Sequence, residues 1–127
     1  MTYRFDAGGG LIVVAAEIEG PTGSAIVRMA LDTGATCTLV NSLILVAAGY
    51  DLALAKDRIE VTTGSGVEYA AKVELTKMAA LGMKRYELPV LAHTLPPSAG
   101  VDGLLGIDFF AGRTLTINFA SGELGVS

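Results

Sequence analysis

The 127-residue chain has no tryptophan, one cysteine, one histidine and few charged side chains. Each shortage removes a class of explanation. With Cys37 alone, no disulfide forms inside the chain, and a reducing compartment such as the cytoplasm is expected. With His93 alone there is neither a Ser-His-Asp arrangement nor a cluster of metal-ligand type, so no metal or other cofactor is expected and His93 is assigned a loop or surface role. The net charge of −4, without a basic stripe, argues against nucleic acid as a partner, since that affinity comes mostly from Lys and Arg meeting phosphates. No apolar run reaches the roughly 20 residues that span a bilayer. The short apolar stretch 11–16 follows Asp6 and Gly8-Gly9-Gly10 and is too brief for the core of a secretory leader. A soluble protein without a membrane partner is therefore expected.

What is present is apolar: hydrophobic residues make up 51% of the chain, and glycine is abundant. The length suits one domain spanning 1–127 with a real core. The composition suits a β-rich globule with many turns and with apolar surface reserved for a partner.

Residues 11–19 and 24–31 read as two strands joined by the turn Gly20-Pro21-Thr22-Gly23, and the second leads into Asp32. A short helix over 42–48 follows Leu39-Val40, with Asn41 suited to cap it and Gly49 to end it. Strand patterns recur over 58–63 and 67–75, around the flexible tip Thr63-Gly64-Ser65-Gly66, and over 73–78 and 84–91, around a turn at Gly82. The stretch Leu95-Pro96-Pro97-Ser98 cannot sit inside a sheet. A further one-to-two-turn helix is expected over 107–112, ended by Gly112. Strands over 114–119 and 124–126 are expected to close the chain around Ser121-Gly122, giving an all-β domain with two short helices.

Taken alone, Asp32-Thr33-Gly34 is a common string whose bland reading is a turn after a strand. Its surroundings say more. It leaves the apolar strand Met29-Ala30-Leu31, continues through Ala35 and Thr36, and re-enters an apolar strand at Leu39-Val40. Much later, Gly103-Leu104-Leu105-Gly106-Ile107-Asp108-Phe109 repeats the pattern of an apolar strand before a short helix. Together these segments resemble the retroviral-type, or retropepsin-like, aspartic proteases, and the resemblance runs over about 12–119.

The resemblance implies a closed, barrel-like acid protease fold and an endopeptidase in which two carboxylates share one water. One motif supplies one carboxylate, and neither Asp102 nor Asp108 lies in an Asp-Thr/Ser-Gly context. The second is therefore expected from Asp32 of a second copy in a two-fold homodimer. By similarity, Thr33 braces the two loops across the axis, Gly34 lets substrate backbone approach, and Ala35 and Thr36 line the cleft floor. Gly64, Ser65 and Gly66 would form the flap tip that closes over an extended peptide or protein substrate.

The chain departs from the viral pattern at Thr36, often acidic there, in the helix 42–48, and in the continuation beyond Phe119, which implies a differently arranged terminal sheet. Among the remaining residues, Cys37 reads as a small packed side chain, Asp102 and Asp108 as groups that support the site from behind or as caps, with Asp108 suited to the start of the short helix, and Tyr69 as either a cleft cover or a cross-strand contact. The alternatives from other classes are a non-catalytic dimerisation or peptide-binding module on the same fold, and an unrelated small β-barrel.

Overall fold

Alternation of buried and exposed side chains builds the sheet. In β2 (Val13–Gly20), Val14, Ala16 and Ile18 point inward while Ala15 points to solvent. In β3 (Gly23–Leu31), Val27 and Met29 are buried while Ile26 and Arg28 are exposed. This period of two is what a half-buried strand requires. The computed structural model describes every residue except Met1, Lys56 and Ser65, with Thr63 described by its backbone alone.

The chain opens with β1 (Thr2–Arg4), and β2 and β3 then form a hairpin. After the Asp32 loop come β4 (Leu39–Asn41) and helix α1 (Ser42–Ala47). The Asn41 side chain accepts a hydrogen bond from the Leu43 amide at 3.1 Å, which caps the helix as expected. Next are β5 (Arg58–Thr63), β6 (Gly66–Ala80), β7 (Met83–His93), β8 (Gly103–Leu105), β9 (Leu115–Asn118) and β10 (Glu123–Val126).

The main sheet runs β2-β3-β8-β4-β7-β6-β5, and an additional pairing of β2 with β6 closes its first six strands into a barrel. β5 remains outside that ring, paired to β6, so the β5–β6 hairpin projects from the barrel. β3 and β8 lie parallel, as do β4 and β7, while β4 and β8 are antiparallel. This crossing sets the Asp32 loop beside the end of β8. A separate three-stranded sheet, β1-β10-β9, joins the two ends of the chain.

Several expectations change in detail. The runs 67–75 and 73–78 are one continuous strand, β6, because pairing to β7 continues along it as far as Ala80 opposite Met83. The turn there uses positive φ at both Leu81 (51°) and Gly82 (73°), the handedness that matches a twisted two-residue hairpin. The second helix is a four-residue 3₁₀ turn, Ile107–Phe110, shorter than the expected 107–112. Further 3₁₀ turns at Leu52–Leu54 and Pro97–Ala99, and strand β1, were not signalled by periodicity.

The main core fills the barrel with Ile18, Met29, Val40, Leu75, Met78, Val90, Leu105 and Phe109, with α1 contributing Leu45. A second, smaller cluster of Leu39, Ala70 and Leu91 lies under the projecting hairpin, flanked by Cys37, Ile59, Val61, Leu95 and Leu104. Among the described residues, no helix is long and apolar enough to cross a membrane.

Candidate active site

Asp32 sits half-buried where β3 leaves the barrel. Its amide donates to the Leu105 carbonyl at 2.9 Å, which extends the parallel pairing of β3 with β8 by one bond. The chain then turns back on itself. The Ala35 amide donates to the Asp32 carbonyl at 3.1 Å, and the Gly34 amide donates to Asp32 Oδ1 at 2.9 Å. One carboxylate oxygen is thus held in place by its own loop.

The loop is fastened to the segment after β8. The Ile107 amide donates to the Ala35 carbonyl at 2.9 Å. The amide of the fully buried Thr38 donates to both oxygens of Asp108 at 3.0 Å, and its hydroxyl donates to Asp108 Oδ1 at 2.7 Å. That hydroxyl also accepts from the Gly106 amide at 3.1 Å. Gly106 has no room for a side chain, since a Cβ there would lie 2.7 Å from the Ala35 carbonyl oxygen. Asp108 does accept from the Phe109 amide at 3.0 Å within its own 3₁₀ turn. Its larger role is in holding Thr38 behind the Asp32 loop, a supporting role expected for it alongside capping, but with a partner that the sequence did not name. The signal available was an acid two residues after the apolar-apolar-Gly segment, but its partner lies 70 residues away in the chain, beside it only because β4 pairs with β8.

A groove of about 480 Å³ opens in front of Asp32. Gly34, Ala35, Thr36 and Cys37 form its floor beside Asp32, Ile59 to Thr62 of β5 form one wall, and Leu39, Leu91 and Leu104 supply apolar surface. The structure therefore brings together Asp32, Gly34, Ala35 and Thr36, while Thr33 is exposed and outside the groove lining. Gly64 and Gly66 stand at the hairpin tip and do not line the groove, whose lining comes from the β5 limb instead. Ser65 of the expected flap lies outside the described residues.

Cys37 is half-buried, with its thiol donating to the Pro89 carbonyl at 3.8 Å. Burial first, and the neighbouring Asp108 charge second, push this thiol above its ordinary value, against opposing effects of Lys72 and the Leu91 amide. A thiol held protonated is a poor nucleophile, in keeping with a packing role. His93 is the last residue of β7, and its Nε2 lies 2.6 Å from Glu68 Oε2 on β6. The two border a groove of about 530 Å³ with Arg58, Tyr69 and Ser42, somewhat larger than the groove at Asp32 but without Asp32 or its loop in the lining. Size therefore does not distinguish the two grooves; what sets the smaller apart is the loop-held carboxylate of Asp32 in its lining. Tyr69 is largely exposed, across from Glu60 in the β5–β6 register. Among the described residues, no group of three or more His, Cys, Asp or Glu is placed to hold a metal ion.

Comparison with known proteins matches residues 14–109 to the family described as Aspartyl protease. No curated protein sequence matches the chain. Among solved structures, a retropepsin-like aspartic protease from Rickettsia conorii superposes with a TM-score of 0.69 at 16% identity, over 98% of this chain and 86% of that one. That likeness speaks for the fold. The matched residues run from β2 to the 3₁₀ turn after β8, and so enclose the Asp32 loop, both limbs of the projecting hairpin and the Thr38–Asp108 contact.

Proposed function

Because the chain belongs to the aspartyl protease family, we propose that it is an endopeptidase whose reactive centre is Asp32 together with Asp32 of the partner subunit in a homodimer. The observation that carries this reading is the Asp32 carboxylate, held by the Gly34 amide at the floor of a groove with apolar walls. Such a groove accepts an extended peptide as an added strand, with alternate side chains entering the apolar surface of Leu39, Leu91 and Leu104.

The case for a second copy comes from elimination within the chain. Asp108 is engaged by three donors, Thr38 N, Thr38 Oγ1 and Phe109 N. Asp102 accepts from the Arg28 amide at 2.7 Å. Glu60, the other carboxylate lining the groove, is exposed on the projecting hairpin and has no fixed relation to Asp32. Among the groove-lining residues the carboxylates are Asp32 and Glu60, so the reading takes the carboxylate matched to Asp32 from its own symmetry copy.

Two carboxylates about 3 Å apart cannot both ionise, so the pair holds one proton. The ionised member takes a proton from the water, whose oxygen bonds to the scissile carbonyl carbon, while the protonated member gives its proton to the carbonyl oxygen. The carboxyl that took the water's proton gives it to the nitrogen as the C–N bond breaks, and the other carboxylate takes a proton from the collapsing gem-diol, so that acid and amine form without a covalent enzyme intermediate and the pair again holds one proton. In the β5–β6 hairpin, β5 would cover the peptide and exclude bulk water.

The test is Asp32→Asn. Hydrolysis of a peptide library should be lost, and the wild-type activity should be blocked by a statine-type inhibitor, while sedimentation of the variant still shows a dimer. Cleavage by the purified variant at the wild-type rate overturns the reading.

A further inference from the structure

We propose that Leu11 and Ile107 form an apolar clasp through which the second copy of this chain docks beside Asp32. The inference rests on the paired-carboxylate reading. If the two Asp32 side chains meet on a two-fold axis, the surface immediately around each Asp32 loop has to meet the other subunit.

Backbone bonds identify that surface. The Leu31 amide donates to the Ile12 carbonyl at 2.8 Å, so the segment entering β2 lies against the residue before Asp32, and Leu11 is next along it. On the other side, the Ile107 amide donates to the Ala35 carbonyl at 2.9 Å. These backbone bonds bring Leu11 and Ile107 alongside the loop, and both are open to solvent, Leu11 by 52% and Ile107 by 48%, with Leu11 also lining a shallow groove with Val13, Arg28 and Val101. Charge would be ill suited here. Near a two-fold axis a charged side chain approaches its own copy, whereas leucine, isoleucine and the loop's Thr33 and Thr36 carry none.

The terminal sheet supports the same assignment. β10 is paired with β1 along one edge and with β9 along the other, so neither edge of β10 is available to a partner strand. Interleaving of β10 with its copy is excluded unless one of these pairings opens. Any strand pairing of this sheet with its copy would then run through its outer strands, β1 or β9, while beside the Asp32 loop the contact is made by side chains, among them the exposed Leu11 and Ile107.

Sedimentation equilibrium on the wild-type chain and on Leu11→Glu and Ile107→Glu tests the clasp, with circular dichroism to verify the fold. Ile26→Glu, on an exposed β3 position about 20 Å along the strand from Asp32, serves as the control. Each clasp variant should raise the dimer dissociation constant by about 30-fold or more, as for a central interface anchor, and lower the specific activity at limiting protein concentration. The control should leave both unchanged. The milder double variant Leu11→Ala/Ile107→Ala, which adds no charge, should weaken the dimer in the same direction and covers the case in which glutamate disturbs folding. Wild-type dimer affinity in the folded clasp variants overturns the clasp and leaves the role of Asp32 standing. A wild-type chain that hydrolyses peptide as a monomer overturns the paired-carboxylate reading and the clasp with it.

Discussion

The hydroxyl of Thr38 donates to the carboxylate of Asp108 at 2.7 Å across a separation of 70 residues. This bond, with the two Thr38 amide contacts to the same carboxylate, ties the strand leaving the Asp32 loop to the turn that follows β8. The Asp32 loop is thereby clamped between the strand that follows it and the turn after β8. Thr38 is the only buried polar side chain among the described residues, so its satisfaction is a structural requirement as well as a positioning one.

Asp108→Ala should cost about 2–4 kcal/mol of stability, since it leaves the Thr38 amide and hydroxyl without their charged acceptor. Asp108→Asn, which keeps an acceptor oxygen, should recover part of that loss. Denaturant midpoints of the three proteins measure the ranking; equal midpoints for Ala and Asn would contradict it.

Gly106→Ala should destabilise by about 1–3 kcal/mol, the usual cost of forcing a methyl into a filled site. The added Cβ would press on the Ala35 carbonyl oxygen at 2.7 Å and on the Cys37 backbone carbon at 3.0 Å. Because those atoms belong to the Asp32 loop, kcat should fall more than the melting temperature alone explains, which kinetics below the melting transition can show.

Cys37 adds a pH dependence at the alkaline end. Its thiol is raised in the folded protein above the ordinary value of 9.0, chiefly by burial. The folded state then holds this proton more firmly than the unfolded state, so the contribution to stability is complete below pH 9.0 and is lost as pH rises past that value toward the raised one. Unfolding titrations should show wild type losing stability faster than Cys37→Ala above that pH, with parallel curves below it. Identical slopes throughout would remove the linkage.

The Glu68–His93 contact at 2.6 Å ties the projecting hairpin to the end of β7. With half of the Glu68 side chain in solvent, a double-mutant cycle of Glu68→Gln and His93→Gln should give a coupling of only about 0.5 kcal/mol, reduced by salt. Its effect should be local. Amides at the β5–β6 tip should exchange faster with deuterium in either variant, while those of β2 and β3 keep their wild-type protection. An unchanged tip would mean that the contact does not restrain the hairpin.

The alternating apolar residues of β2, β3 and β9 were legible because strand burial repeats every second residue and needs no knowledge of the partner strand. Asn41 was legible as a cap for the same reason, since it acts on an amide two residues away. β1 was not, because Thr2-Tyr3-Arg4 has no pattern of its own and becomes a strand by pairing with β10 from the far end of the chain. The 107–112 helix was overextended because Ile107–Phe110 is held by the tighter 3₁₀ geometry, and the Arg113 amide already bonds back to the Phe110 carbonyl.

By itself the sequence pointed to the aspartyl protease family and to a barrel-like β fold, since Asp32-Thr33-Gly34-Ala35 between apolar strands, followed later by Leu104-Leu105-Gly106, is a pattern of neighbouring residues that can be read without the fold. It also determined that the chain offers one such motif. Only the tertiary structure decided what holds the Asp32 carboxylate and what surrounds it: the clamp from Thr38 to Asp108, the β5 limb rather than Gly64 and Gly66 as the groove wall, and the enclosure of β10 on both edges. Those depend on contacts between residues far apart in the chain, whose partners are chosen by barrel closure and not by neighbouring residue types.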